Sequence, residues 1–372
     1  MKHLLKFTAA ICIAIVLFSS CKKDNNKAAN KSEVANKSES VKYPDFSSRA
    51  NLIDTISPKF VDSLRTGTNE LFKGINPMPN GINRQVIADN FDPTARMEIT
   101  IWADYVDGQH NHAEVSVDAS YVMIGGGART SNFSNTNAGD LGLLTAAYPK
   151  DDGTFSTFVA DSKDHLVAYN HRLWVYVVGM RLFDAGAGVI DPATVIIPNM
   201  NITKTTSSSA AHPTTTACAP SGYTLLSGGA KVNWSGAGNL LTGSIPSSLT
   251  CWTSASKDHG ISSPATIESY ALSIIANGIT AFGTIEASSY AYTTLTYNGQ
   301  IGSVNLSSLN VLGTGNWLIS GIGGNTTYSL YGGRLLIEMY PLTGTDAKIS
   351  DKDHSYADHG TLTGQIGLIR RL

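Results

Sequence analysis

The chain has 372 residues, of which 42% are hydrophobic and 15% charged, with a formal net charge of −2 at pH 7. That is length enough to bury a sizeable core, while so mild a charge gives no drive toward nucleic acid and no polybasic lipid-binding surface. Few charges with abundant Gly, Ser and Thr suit a β-rich secreted protein with neutral polar faces.

The chain opens MKHLLKFTAAICIAIVLFSSCKKD. Lys2, His3 and Lys6 form a basic start, and Ala9 to Phe18 is an apolar run too short to span a membrane comfortably. Ser19 and Ser20 then lead to Cys21. This pattern predicts a secretory signal over residues 1–20. LFSSC resembles the lipobox of bacterial lipoproteins, and the resemblance implies cleavage before Cys21 and acylation of its thiol and amine. Two or more acyl chains anchor firmly where one does not. Phe18 departs from the smaller residue usual at that position. The expected place is the cell envelope of a Gram-negative bacterium, lipid-anchored at the outer membrane, periplasmic or surface-exposed.

Residues 21–50, rich in Lys, Asn, Ser and Ala, read as a disordered tether. Within residues 51–91, SPKFVDSLRTGTNELF places Phe60, Leu64 and Leu71 along one side and predicts a short helical cap. Without the signal the charge balance is 25 basic against 29 acidic residues. Three cysteines then remain. Cys21 is the lipid site, and Cys218 and Cys251 are expected to form a disulfide in an oxidising compartment.

Beyond residue 91 the chain repeats. SKDH stands at 162–165 and 256–259, and DKDH at 351–354, 94 and then 95 residues apart. LLTAAYP, LLTGSIP and LLIEMYP end at Pro149, Pro246 and Pro341, 16, 13 and 13 residues before His165, His259 and His354. A Gly-Gly pair precedes each, with Gly127, Gly229 and Gly324 aligned 38, 30 and 30 residues before the histidine. Markers in fixed order at near-fixed spacing define three repeats of about 95 residues, placed at 92–185, 186–279 and 280–372. Each reads as short strands bounded by Gly, Pro, Asn and Ser. MEITIWADYV, TVIIPNMNIT and ITAFGTIEASSYAYTTLTY are expected to be strands, and QHNHAE a solvated loop. With no linker between repeats, the expectation is one all-β, pseudo-threefold body, either prism-like or of closely packed sandwiches.

CAPSGYTLLSGGA, LLTGSIP, CW and ESYALSI resemble small Gly-Gly-Gly β-modules of secreted bacterial and phage-tail-like proteins. About 55 residues of each repeat carry the likeness, although repeats one and three lack the cysteine. The resemblance implies an extracellular display or binding module and transfers no catalytic residue.

The triplicated tetrad admits three readings. As a structural device, Asp caps a turn through backbone N–H groups and His bonds a carbonyl. As a ligand site, Lys163, Asp164, His165, Lys257, Asp258, His259, Lys352, Asp353 and His354 supply donors and acceptors for hydroxyls. Trp252, Phe158, Tyr176 and Tyr270 would then supply apolar faces, a combination that suits a glycan, and three copies give avidity, while a core place at the strand starts is the alternative for Trp252 and Phe158. As a metal site, three imidazoles meeting on an axis would suffice for zinc. His110 and His112 suit two ligands on one strand face, and His359 stands alone. There is no HExxH, no nucleophile elbow, no P-loop and no acidic pair shared by the repeats. The expectation is therefore a non-enzymatic envelope binding protein with no cofactor or metal. Its partners would be a glycan or polysaccharide and, through the anchor, a membrane. The alternatives are an envelope structural or assembly protein, with the KDH turns serving only folding, and then a glycan hydrolase.

Overall fold

The computed structural model describes residues 85–91, 96–132, 141–184, 188–275, 285–298, 301–308, 317–328, 333–354 and 358–371. The expected signal, tether and amphipathic helix lie outside these residues. All described residues belong to one unit, Ile53–Leu372. Among them, no helix is long and apolar enough to cross a membrane.

A leading strand, β1 (Gln85–Phe91), pairs antiparallel with the first strand of repeat one. The end of the region expected to be a helical cap is therefore strand. Repeat one contributes β2 (Met97–Gly108), β3 (His110–Ser116), β4 (Val122–Ser131), β5 (Leu143–Pro149), β6 (Thr157–Lys163) and β7 (His171–Leu182). Repeat two contributes β8 (Met200–Thr206), β9 (Thr214–Cys218), β10 (Thr224–Asn233), β11 (Asn239–Pro246), β12 (Cys251–Asp258) and β13 (Thr266–Ile274). Repeat three contributes β14 (Ile285–Asn298), β15 (Ile301–Ser307), β16 (Leu318–Thr326), β17 (Leu335–Pro341), β18 (Asp346–Lys352) and β19 (His359–Arg371).

The fold is all-β, in three sheets: β1-β2-β7-β4-β17-β18-β15, β3-β6-β5-β10-β13-β8 and β14-β19-β16-β11-β12-β9. Each sheet joins three strands of one repeat to three of another, in cyclic order. The junctions are β4·β17, β10·β5 and β16·β11, all antiparallel. No repeat closes a sandwich of its own, and β4, β10 and β16 touch one another at the centre.

The Gly-Gly segments lie inside these central strands, each after a β-bulge, at Met123/Gly125, Leu225/Ser227 and Ile319/Gly321. A bulge adds one residue opposite a single partner. Cross-strand pairing then aligns Gly127, Gly229 and Gly323, which face Tyr176, Tyr270 and Gln365. This corrects the sequence alignment on Gly324 by one residue. A Cβ on Gly126 would sit 2.4 Å from Phe158, and one on Gly228 2.3 Å from Trp252. Repeat three places Ile322 and Ala347, both buried, at the equivalent positions. Volume is exchanged across the contact, as close packing demands.

Two further expectations differ from the structure. TVIIPNMNIT begins as a short helix, α1 (Pro192–Val195), and a 3₁₀ turn (Ile197–Asn199), and strand starts only at Met200. Asp191 caps α1 by accepting from Ala193 N–H, and Pro192 has the fixed φ of a first helical position. QHNHAE is mostly the edge strand β3, with alternating exposure and with His110 and His112 on the wet face. On one face of a sheet, alternation needs only every second residue to be apolar. Cys218 and Cys251 stand opposite each other on β9 and β12 and form the disulfide.

Candidate functional site

The tetrads end β6, β12 and β18 and lead into the turns that follow. Their side chains face inward: Lys163, Lys257 and Lys352 are 3%, 3% and 1% exposed. Each reaches into another repeat. Lys163 Nζ donates to the carbonyls of Ala237 (2.7 Å) and Gly236 (3.3 Å) and lies 3.9 Å from the centre of the Trp234 ring. Lys257 Nζ lies 3.8 Å from the Tyr328 ring, and Lys352 Nζ donates to Leu141 O at 2.9 Å. Repeat one thus grips two, two grips three, and three grips one. Burial lowers the ammonium pKa of Lys163, and that of Lys257 to about 8, since desolvation disfavours charge.

The aspartates close turns. Asp164 Oδ2 accepts from Tyr169 N–H at 3.3 Å and Asp258 Oδ2 from Ser263 N–H at 3.1 Å, each five residues on. Burial raises the carboxyl pKa of Asp353, against the opposing pull of Arg334 and of the backbone of Asp358, again five residues on. Arg334, fully buried, donates to Asp353 at 3.0 Å. From the solvent side, His110 and His212 contact Asp164 and Asp258 at 2.9 and 3.3 Å.

The histidines converge. Ring centroids are 5.4 Å apart for His165 and His259, 4.8 Å for His165 and His354, and 5.1 Å for His259 and His354. His259 Nε2 is 2.7 Å from the His354 carbonyl, which fixes the proton on that nitrogen. Neither nitrogen of His165 meets a hydrogen-bond partner. Burial first favours the neutral form of all three; neighbouring imidazoles and lysines add to it at His165, lowered to about 4, and at His354, lowered to about 3, and Lys257 adds to it at His259. Among the described residues no group of three or more His, Cys, Asp or Glu is placed to hold a metal ion. His112 bonds Asp161 and Glu114, and His359 is exposed on β19.

Leu143, Leu240 and Leu335, one per repeat, pair in register with Lys163, Lys257 and Lys352 and form a buried apolar cluster with Ile337. Just before these leucines stand Gly142, Asn239 and Arg334. A Cβ on Gly142 would strike His171 at 2.1 Å, and one on Gly360 would meet Arg334 at 3.0 Å, so large faces small in repeats one and three. In repeat two Asn239 donates to the carbonyl of Ala211 at 2.8 Å. His171 is paired with Ser162 Oγ at 2.8 Å, but both are buried, so this Ser–His contact offers no open nucleophile.

The expectation that the tetrads face solvent beside aromatic platforms is corrected. Lys163, Asp164, His165, Lys257, His259 and Lys352 are buried, and Asp258, Asp353 and His354 are only partly exposed. Trp252 and Phe158, each 1% exposed, fill the space over the inner glycines, and Tyr176 and Tyr270 are buried too. A polar residue stays inside where partners satisfy it, and a repeat supplies those partners from the next copy. The receiving residues Trp234 and Tyr328 escaped the sequence reading. Once Gly229 and Gly323 are aligned, each lies five residues further on, a recurrence hidden by the one-residue offset. No protein-family model matches the chain, and no curated protein is significantly similar to it.

Proposed function

We propose that this chain is a non-catalytic, lipid-anchored envelope protein whose KDH tetrads fasten three repeats into one display body. The observation that carries this reading is the cyclic grip of the three buried lysines on Ala237, Tyr328 and Leu141. A side chain engaged with a neighbouring repeat is not available to a soluble ligand.

Carbohydrate recognition is a second reading, favoured by one feature of the second sheet. Tyr148 and Tyr270 stack at 4.8 Å across the β5·β10 junction, and Tyr148 is partly exposed. Glu268 accepts from the Tyr270 hydroxyl and lies 3.9 Å from Lys204. A ring face beside a carboxylate and an ammonium is what a sugar ring and its hydroxyls require.

The test is a glycan array with the detergent-solubilised chain beside the triple variant Asp164→Ala, Asp258→Ala, Asp353→Ala. The proposal expects the variant to melt lower than the parent, with any sugar binding lost only as it unfolds and lost outright in Tyr148→Ala. Binding abolished in a triple variant that melts like the parent would make the tetrads the ligand site and sink the proposal.

A further inference from the structure

We propose that β8 is a docking edge on which a second copy of this chain adds its own β8, so that the second sheet runs on across a symmetric dimer. An edge strand presents unpaired N–H and C=O groups that template another strand. Repeat one shows the same position already taken. There β1 lies along Glu98–Ala103 of β2, and Ala103 faces Tyr176 on β7. In repeat two Lys204 of β8 faces Tyr270 on β13 in the same way, so Met200–Lys204 corresponds to the stretch that β1 covers. Among the described residues no strand lies on that side of β8, which ends the second sheet.

The phase of the backbone fixes which groups are open. Asn199 O accepts from Ile275 N–H and Ser207 N–H donates to Ile267 O, so the odd-numbered residues between them bond to β13. Ile202, Lys204 and Thr206 therefore point their N–H and C=O groups outward. The Met200 carbonyl joins them, while Met200 N–H donates to Ile197 O. Lys204, Thr205 and Thr206 are exposed, and Ile202, Thr203, Thr205 and Thr206 are β-branched, as pairing strands prefer. Two such edges, run antiparallel about Thr203, set Ile202 of each copy against Lys204 of the other and Met200 against Thr206. That register makes about six hydrogen bonds between copies and places Thr203 against itself, a favourable pair. Centring on Lys204 instead sets two ammonium groups opposite each other, which is disfavoured. An edge lysine ordinarily guards against pairing, but Lys204 brings a counter-charge, with Nζ 3.9 Å from Glu268 on its own copy. Other edges suit less: β3 carries His112 and Glu114, and β9 is five residues long.

The test is analytical sedimentation of the detergent-solubilised full chain beside Lys204→Pro. Proline at 204 removes an outward N–H and leaves the bonds to β13 in place. The dimer predicts a protein mass twice that of one chain for the parent, and half of that for a Lys204→Pro variant whose circular dichroism matches the parent. Loss of the lysine alone would favour edge pairing, so a monomer reports the missing donor. Should Lys204→Pro not fold, Thr203→Cys decides: mild oxidation should link two copies through residue 203, whereas Asn305→Cys, exposed on the β15 edge, should stay unlinked. A monomeric parent would overturn the proposal. So would a folded Lys204→Pro dimer, Thr203→Cys chains that do not link, or equal linking through Asn305→Cys.

Discussion

Replacing Trp252 by Ala separates a core residue from a surface platform. The ring is 1% exposed, rests on Gly228 and donates from Nε1 to Ser244 Oγ at 2.9 Å. Removing it leaves a cavity lined by a glycine that cannot fill it, a loss of about 3–5 kcal/mol for a buried aromatic. The buried Ser244 hydroxyl loses its donor, adding about 1 kcal/mol. At about 2–4 °C per kcal/mol for a body of this size, the midpoint should fall by roughly 8–24 °C in a thermal melt followed by circular dichroism. Repeat three shows the compensation, with Ile322 over Ala347. The double variant Gly228→Ile, Trp252→Ala should therefore be less destabilised than the sum of its single variants. A Trp252→Ala protein melting within about 1 °C of the parent, or a strictly additive double variant, would refute the packing argument.

Other outcomes follow from the same geometry. Leu166 adopts φ 65°, where repeat two has Gly260 at φ 71°; Leu166→Gly should stabilise by about 0.5–1 kcal/mol, read in urea melts, because left-handed strain exceeds the added chain entropy. Reducing Cys218–Cys251, or replacing both residues by Ser, should lower stability by about 3–4 kcal/mol for a separation of 33 residues, read by the same melts with and without reductant. Acid should destabilise early. His165 and His171 are lowered to about 4 from 6.5, so the unfolded chain takes protons first, and stability present above pH 6.5 is lost as pH falls toward 4. The loss is about 2 kcal/mol per histidine at pH 5, and urea midpoints constant between pH 7 and pH 5 would contradict it.

The all-β class is legible because runs of β-branched and aromatic residues between Gly, Pro, Asn and Ser need no partner to be recognised. Pro149, Pro246 and Pro341 end β5, β11 and β17 as expected, since proline cannot donate to a ladder. The disulfide followed from compartment and count. What strands pair with is non-local, so the sharing of every sheet between two repeats left no local mark. Nor did the inward turn of the tetrads: Lys163 is a surface residue by composition and a buried one only because Ala237 and Gly236 in another repeat accept from it. The bulge before each Gly-Gly pair shifted the apparent alignment by one residue in repeat three. Trp252 and Phe158 looked like platforms because an aromatic at a strand start carries no sign of the glycine beneath it. The convergence of three histidines could be named from spacing, but their neutrality depends on burial and on neighbouring lysines that only the fold brings together.

The central claim is that the tetrads join repeats, and Lys163→Met tests it most directly. The variant keeps the apolar stem but removes the donor to Ala237 and Gly236 and the cation over Trp234. Lost charged hydrogen bonds and the ring contact, offset by relief of a buried charge, leave an expected destabilisation of about 2 kcal/mol. The account predicts a thermal midpoint several degrees below the parent with any glycan binding intact below the melt. A variant that melts with the parent and no longer binds sugar would contradict it.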